Sequence, residues 1–272
     1  MDEKEIAAKA TELEKAAERG NEHYLANELH DMSPQERLAV AKQIMWDQQQ
    51  HPSPSLPRLE FFDDGDLKSA LKTETNGDQR KELYDDNTGK LTAVRRYSTD
   101  GTEEYTDFDE NTKYAFGDIL TYDRKNPDGS TEHRRFDPKT NSADLITIKD
   151  KRGNVETAIY DTTNHRLVAT DTKFNDGSTL HLVFDANKQI IEVATKDKDG
   201  NINNWKRGDN NGVKVTEKQL PEPFRGIDST EILFKDGMKV HLGYNVDGGL
   251  TNYWTRDYNK RKDIDLNWFN RR

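Results

Sequence analysis

From Leu83 to Trp205 the chain repeats one alternation, a short strand-like segment followed by a turn rich in Asp, Asn and Gly. The turns include Asp85-Asp86-Asn87-Thr88-Gly89, Asp100-Gly101, Asn126-Pro127-Asp128-Gly129, Lys151-Arg152-Gly153, Asp176-Gly177 and Asp199-Gly200. They recur every 10 to 18 residues, most often 11 to 13, which is the spacing of consecutive short strands. Asp-Gly suits them because tight hairpin turns need positive φ, which Gly and Asn reach at little cost. Between turns the side chains alternate. Leu180, Leu182 and Phe184 fall on one face, and Thr179, His181 and Val183 on the other; Ile191 and Val193 share a face, with Glu192 opposite. Such a pattern predicts antiparallel strands with one buried and one wet face.

Composition decides whether such strands order at all. Of the 272 residues, 34% are charged and 32% hydrophobic, and mean hydropathy is -1.09. A disordered chain has similar totals. The regular alternation, with 10 Tyr, 10 Phe and 4 Trp, points instead to an extended β architecture that needs little core. The length holds one large β domain or two smaller ones. A net charge of -10 disfavours nucleic acid and anionic membrane as partners. The absence of cysteine removes disulfides, thiolate nucleophiles and Cys-ligated metal sites. No apolar run is long enough for a transmembrane helix. Met1 to Glu5 is acidic and unlike a signal peptide, so the expected location is cytoplasmic, or outside the cell by a non-classical route.

The array has a preface. Residues 1–50 read as a helical segment: Ile6, Ala10, Leu13 and Ala17 line one face, and Gly20-Asn21 stops it. A second helix carries Tyr24, Leu25 and Leu29. Ser33-Pro34-Gln35-Glu36 reads as a capping box opening a third, with Leu38, Ala41, Ile44 and Met45 on its apolar face. Residues 51–58, with three prolines, read as a semi-rigid linker. Residues 59–272 read as an antiparallel β-hairpin repeat domain. The expected fold class is therefore mainly β: a short helical segment, then a long antiparallel meander forming an open sheet, a sandwich or a barrel. Past Trp205 a clean hairpin is expected from Glu231 to Tyr244.

An aromatic-acid pair recurs before turns, at Tyr84-Asp85, Phe108-Asp109, Tyr122-Asp123, Phe136-Asp137, Tyr160-Asp161 and Phe184-Asp185. On these residues about half of the chain resembles the YD-type β-hairpin repeats of Rhs and teneurin shell proteins. Leu91, Leu167 and Ile190 stand where those repeats place the apolar residue opening the next strand, although a regular repeat length and glycine are missing in several units. The resemblance implies a β shell and a bacterial surface or secretion setting.

Chemistry is harder to find. Asp197-Lys198-Asp199-Gly200-Asn201 starts like a calcium loop, but Ile202 replaces the turn glycine and no Glu closes it; Asp85-Asp86-Asn87 is a weaker candidate. Among the seven histidines no pair has the spacing of a zinc motif, although His181 and His241 lie in strands that a sheet packing would bring together. No metal or cofactor is expected. Nucleophile elbows and phosphate loops are absent, and 51 acidic residues make carboxylate pairs undiagnostic. The C-terminus mixes rings and cations, and Tyr253, Trp254, Arg256, Tyr258 and Trp268 are the candidate ligand-binding residues. Two functions follow. One is a non-catalytic binding or structural protein with a protein or polysaccharide partner, with a calcium-stabilised form as a variant. The other is an Asp/Glu-dependent hydrolase acting on polysaccharide.

Overall fold

The computed structural model describes residues 1–109, 118–187, 189–209, 212–219, 227–244, 250–257, 260–261 and 264–265, without the side chains of 219, 227, 228, 244 and 250 onward. The chain forms two compact units, Met1–Gly153 and Asn154–Arg272.

The first unit opens with α1 (Glu3–Glu18), α2 (Glu22–His30) and α3 (Pro34–Gln50). A capping box starts α1: the Asp2 carboxylate accepts from the Glu5 amide at 2.8 Å, and the Asp2 amide donates to Glu5 at 2.7 Å. Ala10, Leu13 and Ala17 are buried, as their spacing requires. The box expected at Ser33 does not form. Its hydroxyl donates to the Glu36 carboxylate at 2.7 Å rather than accepting from the backbone, so Pro34, with φ preset, begins α3. The buried face of α3 is Arg37, Val40, Ala41 and Ile44, whereas Met45, expected inside, is 41% exposed. Arg37 turns the register, because its guanidinium is buried against Asp64 and Asp66. The proline-rich stretch is tied to the helices: Ser53 and Ser55 donate to Glu18, and Gln48 donates to the Pro57 carbonyl at 3.1 Å.

Eight strands follow: β1 (Arg58–Phe61), β2 (Leu67–Thr73), β3 (Gln79–Tyr84), β4 (Leu91–Tyr97), β5 (Glu103–Phe108), β6 (Ile119–Lys125), β7 (Thr131–Asp137) and β8 (Ser142–Lys149). They pair antiparallel in chain order, and β1 does not pair back onto β8, so this sheet is open. The helices lie on its first strands. Leu13, Leu25, Leu29, Val40 and Ile44 share one core with Leu59, Leu67, Ala70, Tyr84, Leu91 and Val94.

Two kinds of turn punctuate the meander. The first spans five residues, as in Ser98–Thr102: the Ser98 amide donates to the Thr102 carbonyl, and the Gly101 amide to the Ser98 carbonyl. Asp100 sits third and accepts from the Thr102 amide at 2.8 Å, while Gly101 takes φ of +89°. The same bonds recur at Phe62–Asp66, Glu74–Asp78, Asn126–Ser130, Phe174–Ser178 and Phe234–Met238. Their glycines, with Gly153 and Gly200, keep step: Gly77, Gly101, Gly129, Gly153, Gly177 and Gly200 are 24 residues apart, save one interval of 28 and one of 23. The second kind lies at the other strand ends. There the register slips between Leu83 and Tyr84, Asp107 and Phe108, Arg135 and Phe136, and Val183 and Phe184. Each aromatic-acid pair at these places marks a β-bulge. Tyr122-Asp123 is different, since it sits inside β6 with unbroken pairing.

The second unit continues with β9 (Val155–Asp161), β10 (Arg166–Lys173), β11 (Thr179–Phe184), β12 (Ile190–Lys196) and β13 (Ile202–Lys206), again in order. A second antiparallel sheet follows: β14 (Lys214–Gln219), β15 (Ile227–Leu233), β16 (Lys239–Tyr244) and β17 (Leu250–Asp257), with β18 (Lys260–Arg261) and β19 (Ile264–Asp265) on β17. The expected hairpin from Glu231 is β15–β16. Phe174, Leu180, Leu182, Phe184, Val193 and Trp205 from one sheet pack on Ile232, Phe234, Val240 and Leu242 from the other. Alternation in β11 therefore has the expected buried face.

Candidate functional site

The candidate residues at the C-terminus fall in or beyond β17. Register places Tyr253 opposite Leu242, Trp254 opposite His241 and Arg256 opposite Lys239. Trp254 and Arg256 thus lie in the rows that alternate with the core positions Val240 and Leu242. Tyr258 and Trp268 lie outside the described residues. His181 and His241 occupy outer rows of two sheets packed through their inner rows, so they do not meet. Each has a cross-strand carboxylate instead: His181 Nδ1 is 2.7 Å from Asp171, and His241 Nδ1 is 3.5 Å from Glu231. The calcium-like segment is a hairpin turn whose Asp197 carboxylate accepts from the Asp199 and Asn201 amides and the Asn201 side chain.

The more developed polar surface is on β4 to β8. Between Val94 and Ala158 no hydrophobic side chain is buried among the described residues. From β6 to β8 neither face is covered by a core among the described residues, unlike the one-sided burial that alternation led one to expect, whereas β4 gives Leu91 and Val94, and the end of β5 gives Phe108, to the core under the helices. One face carries the row Lys81, Arg95, Tyr105, Asp123, His133 and Thr147, flanked by Tyr97, Glu103 and Lys125. The Arg95 guanidinium lies 5.6 Å from the Tyr105 ring centroid, and Tyr97 meets Tyr105 edge-on at 6.2 Å. The Tyr105 hydroxyl donates to Glu103 at 3.0 Å, Lys125 sits 3.2 Å from the same carboxylate, and His133 lies 2.7 Å from Asp123.

The opposite face repeats the chemistry with arginine. Its rows are Glu82, Val94, Thr106, Tyr122, Arg134 and Ile146, and beside them Arg80, Arg96, Glu104, Arg124, Glu132 and Ile148. Tyr122 donates to Glu104 at 2.7 Å, and Arg134 stacks 5.6 Å from the Tyr122 centroid while pairing with Glu132. Burial and the Glu104 carboxylate push the Tyr122 phenol up to about 12. Cross-strand pairs of this kind contribute about 0.2–1 kcal/mol each.

Electrostatics divides the carboxylates into two groups. On the sheet, Lys125 and Tyr105 hold Glu103 below the usual range. The raised carboxyls among the described residues lie elsewhere. Burial beside Asp47 and Glu18 pushes Glu14 to about 7; burial near Glu82 raises Glu22; and burial raises Asp66. All three belong to the helices or to the turn packed on them.

No protein-family model matches the chain, and no curated protein matches it. Among solved structures it is similar to a porin-like protein from Bacteroides uniformis, with 14% identity over 72% of this chain and 92% of that one, at a TM-score of 0.25. It is also similar to the Tc holotoxin pore of Photorhabdus luminescens, with 8% identity over 74% of this chain and 15% of that one, at a TM-score of 0.18. Neither superposition carries an argument about this chain. No helix among the described residues is long and apolar enough to cross a membrane.

Proposed function

We propose that this is a non-catalytic binding or structural protein whose working surface is the two-faced polar sheet of β5 to β8. The observation that carries the reading is the state of the carboxylates there. Glu103, Glu104, Asp107, Asp123 and Glu132 are each engaged by a neighbouring hydroxyl, histidine or cation. A general acid in glycoside hydrolysis needs a carboxyl raised toward neutrality. Among the described residues the raised carboxyls sit in the helices or in the turn packed on them, away from the ring-and-cation rows that would hold a sugar or a protein. A surface of Tyr and Arg already fixed by their neighbours is preorganised for recognition. The C-terminal residues Tyr253, Trp254, Arg256, Tyr258 and Trp268 form a second contact region in this reading.

The test pairs co-sedimentation on a panel of insoluble polysaccharides with reducing-end release from the same panel. The expected result is no release by the full chain. Release that disappears on a single Asp or Glu substitution would establish the polysaccharide hydrolase instead.

A further inference from the structure

We propose that Asp64, Asp66 and Asp86 form a binding site for a hard divalent cation, calcium in the first instance, where the first two hairpins meet the helices. One carboxylate oxygen from each lies within 4.8 Å of the other two. Asp64 and Asp66 come from the β1–β2 turn, and Asp86 from the turn after β3. The group is thus assembled in space, not along a linear loop, and departs from the expectation that the chain holds no metal.

The Asp66 side chain supplies the independent observation. It is 1% exposed, and its Oδ1 is buried with no hydrogen-bond partner. Its Oδ2 accepts from Arg37 Nη1 at 2.7 Å and lies 3.2 Å from His30 Nδ1. A buried carboxylate oxygen that has lost water without gaining a partner is costly, and a bound cation supplies that partner. Arg37 does not use the whole cluster. Its Nη2 meets Asp64 Oδ2 at 2.5 Å and its Nε donates to the Asp64 carbonyl, while Asp64 Oδ1 accepts the Asp66 amide at 3.1 Å. Three carboxylates against one guanidinium leave a negative excess suited to a divalent ion. All-oxygen ligands of this kind select calcium or magnesium. Asp86 is exposed, so the site opens to water, which completes the coordination.

The location gives the ion a role. Gly65, between Asp64 and Asp66, presses on the first turn of α3, and Gly89, three residues past Asp86, presses on His30 of α2. A cation bridging the two turns would lock both hairpins to the helices. This inference stands apart from the binding-protein reading, and either can fail alone.

The experiment uses the full chain stripped of metal, titrated with calcium and, separately, magnesium by calorimetry, with thermal unfolding measured with each ion and with chelator. One saturable site is expected, together with a melting temperature several degrees higher at saturating ion. Asp86→Asn is expected to weaken binding at least about tenfold and abolish the rise, with its unfolding in chelator unchanged. Asp128→Asn, in a distant turn, should behave as the parent does. No binding heat and no thermal shift up to about 5 mM of either ion would overturn the site. Undiminished binding by Asp86→Asn would overturn it equally.

Discussion

Gly65 touches Leu38 so closely that a β-carbon added at the glycine would lie 2.8 Å from both the Leu38 nitrogen and its α-carbon. The contact sets a turn tip directly on helix backbone, where neither side has a flexible side chain to move. Gly65→Ala therefore meets a clash as well as the strain of φ at +95°. Gly129→Ala and Gly177→Ala meet only the strain, at φ of +84° and +86° with nothing within 4 Å. Urea unfolding should show a loss of about 1 kcal/mol for each of the latter two and about 3 kcal/mol or more for Gly65→Ala. Equal losses at all three would mean that the turn does not rest on α3.

Glu14 gives the helical segment a pH dependence. Its carboxyl is raised to about 7 by burial and by Asp47 and Glu18. Between its unfolded value and its folded value the native state binds the extra proton. Stability from this group is thus present at low pH and falls as pH rises through about 4.5 to 7. Glu14→Gln should flatten that part of the stability–pH curve and gain about 1–2 kcal/mol at pH 8. A substitution that leaves the curve unchanged would count against a buried carboxyl between α1 and α3.

The sheet faces depend on pairs, not on a core. Tyr122→Phe removes the hydroxyl that donates to Glu104 and should cost about 1 kcal/mol. Losing the ring that Arg134 covers, in Tyr122→Ala, should cost about 2–3 kcal/mol. Chemical denaturation of the two variants checks both values.

Amide exchange should follow the same division. Strands β5 to β8 lack buried hydrophobic side chains among the described residues, whereas β11 and β12 bury Leu180, Leu182, Phe184, Ile190 and Val193. Exchange of β5 to β8 should exceed that of β11 and β12 at matched ladder positions. Equal protection would require a covering layer on the first sheet.

Much of this fold is written locally. Pro52, Pro54 and Pro57 end the helices, Gly101 and Gly177 place their turns through φ, and Leu180, Leu182 and Phe184 announce a buried face. The β5–β8 surface escapes such reading. Glu103, Tyr105 and Asp107 alternate with Glu104, Thr106 and Phe108, and that pattern does not state whether either side meets a core. The Asp2–Glu5 spacing carries a capping box that the apolar periodicity of α1 does not reveal, whereas Ser33 has the right spacing and turns to Glu36 instead. The Asp64–Asp66–Asp86 group could not be seen, because only the packing of two turns on α2 and α3 brings it together. Tyr253, Trp254 and Arg256 are legible as rings and a cation, and the register of β17 on β16 gives the rows they occupy.

Past the helical core the sheet of β5 to β8 is wet on both faces, and the absence of cysteine from the chain allows a direct test. Thr106→Cys and Thr147→Cys place one thiol on each face, and Val193→Cys places one in the core of the second unit. The measurement is the rate at which each native variant reacts with a thiol reagent. Reaction of both threonine-site variants within a small factor of a free thiol, with the core variant orders of magnitude slower, is the result expected here. Protection of either face comparable to that of Val193→Cys would contradict it.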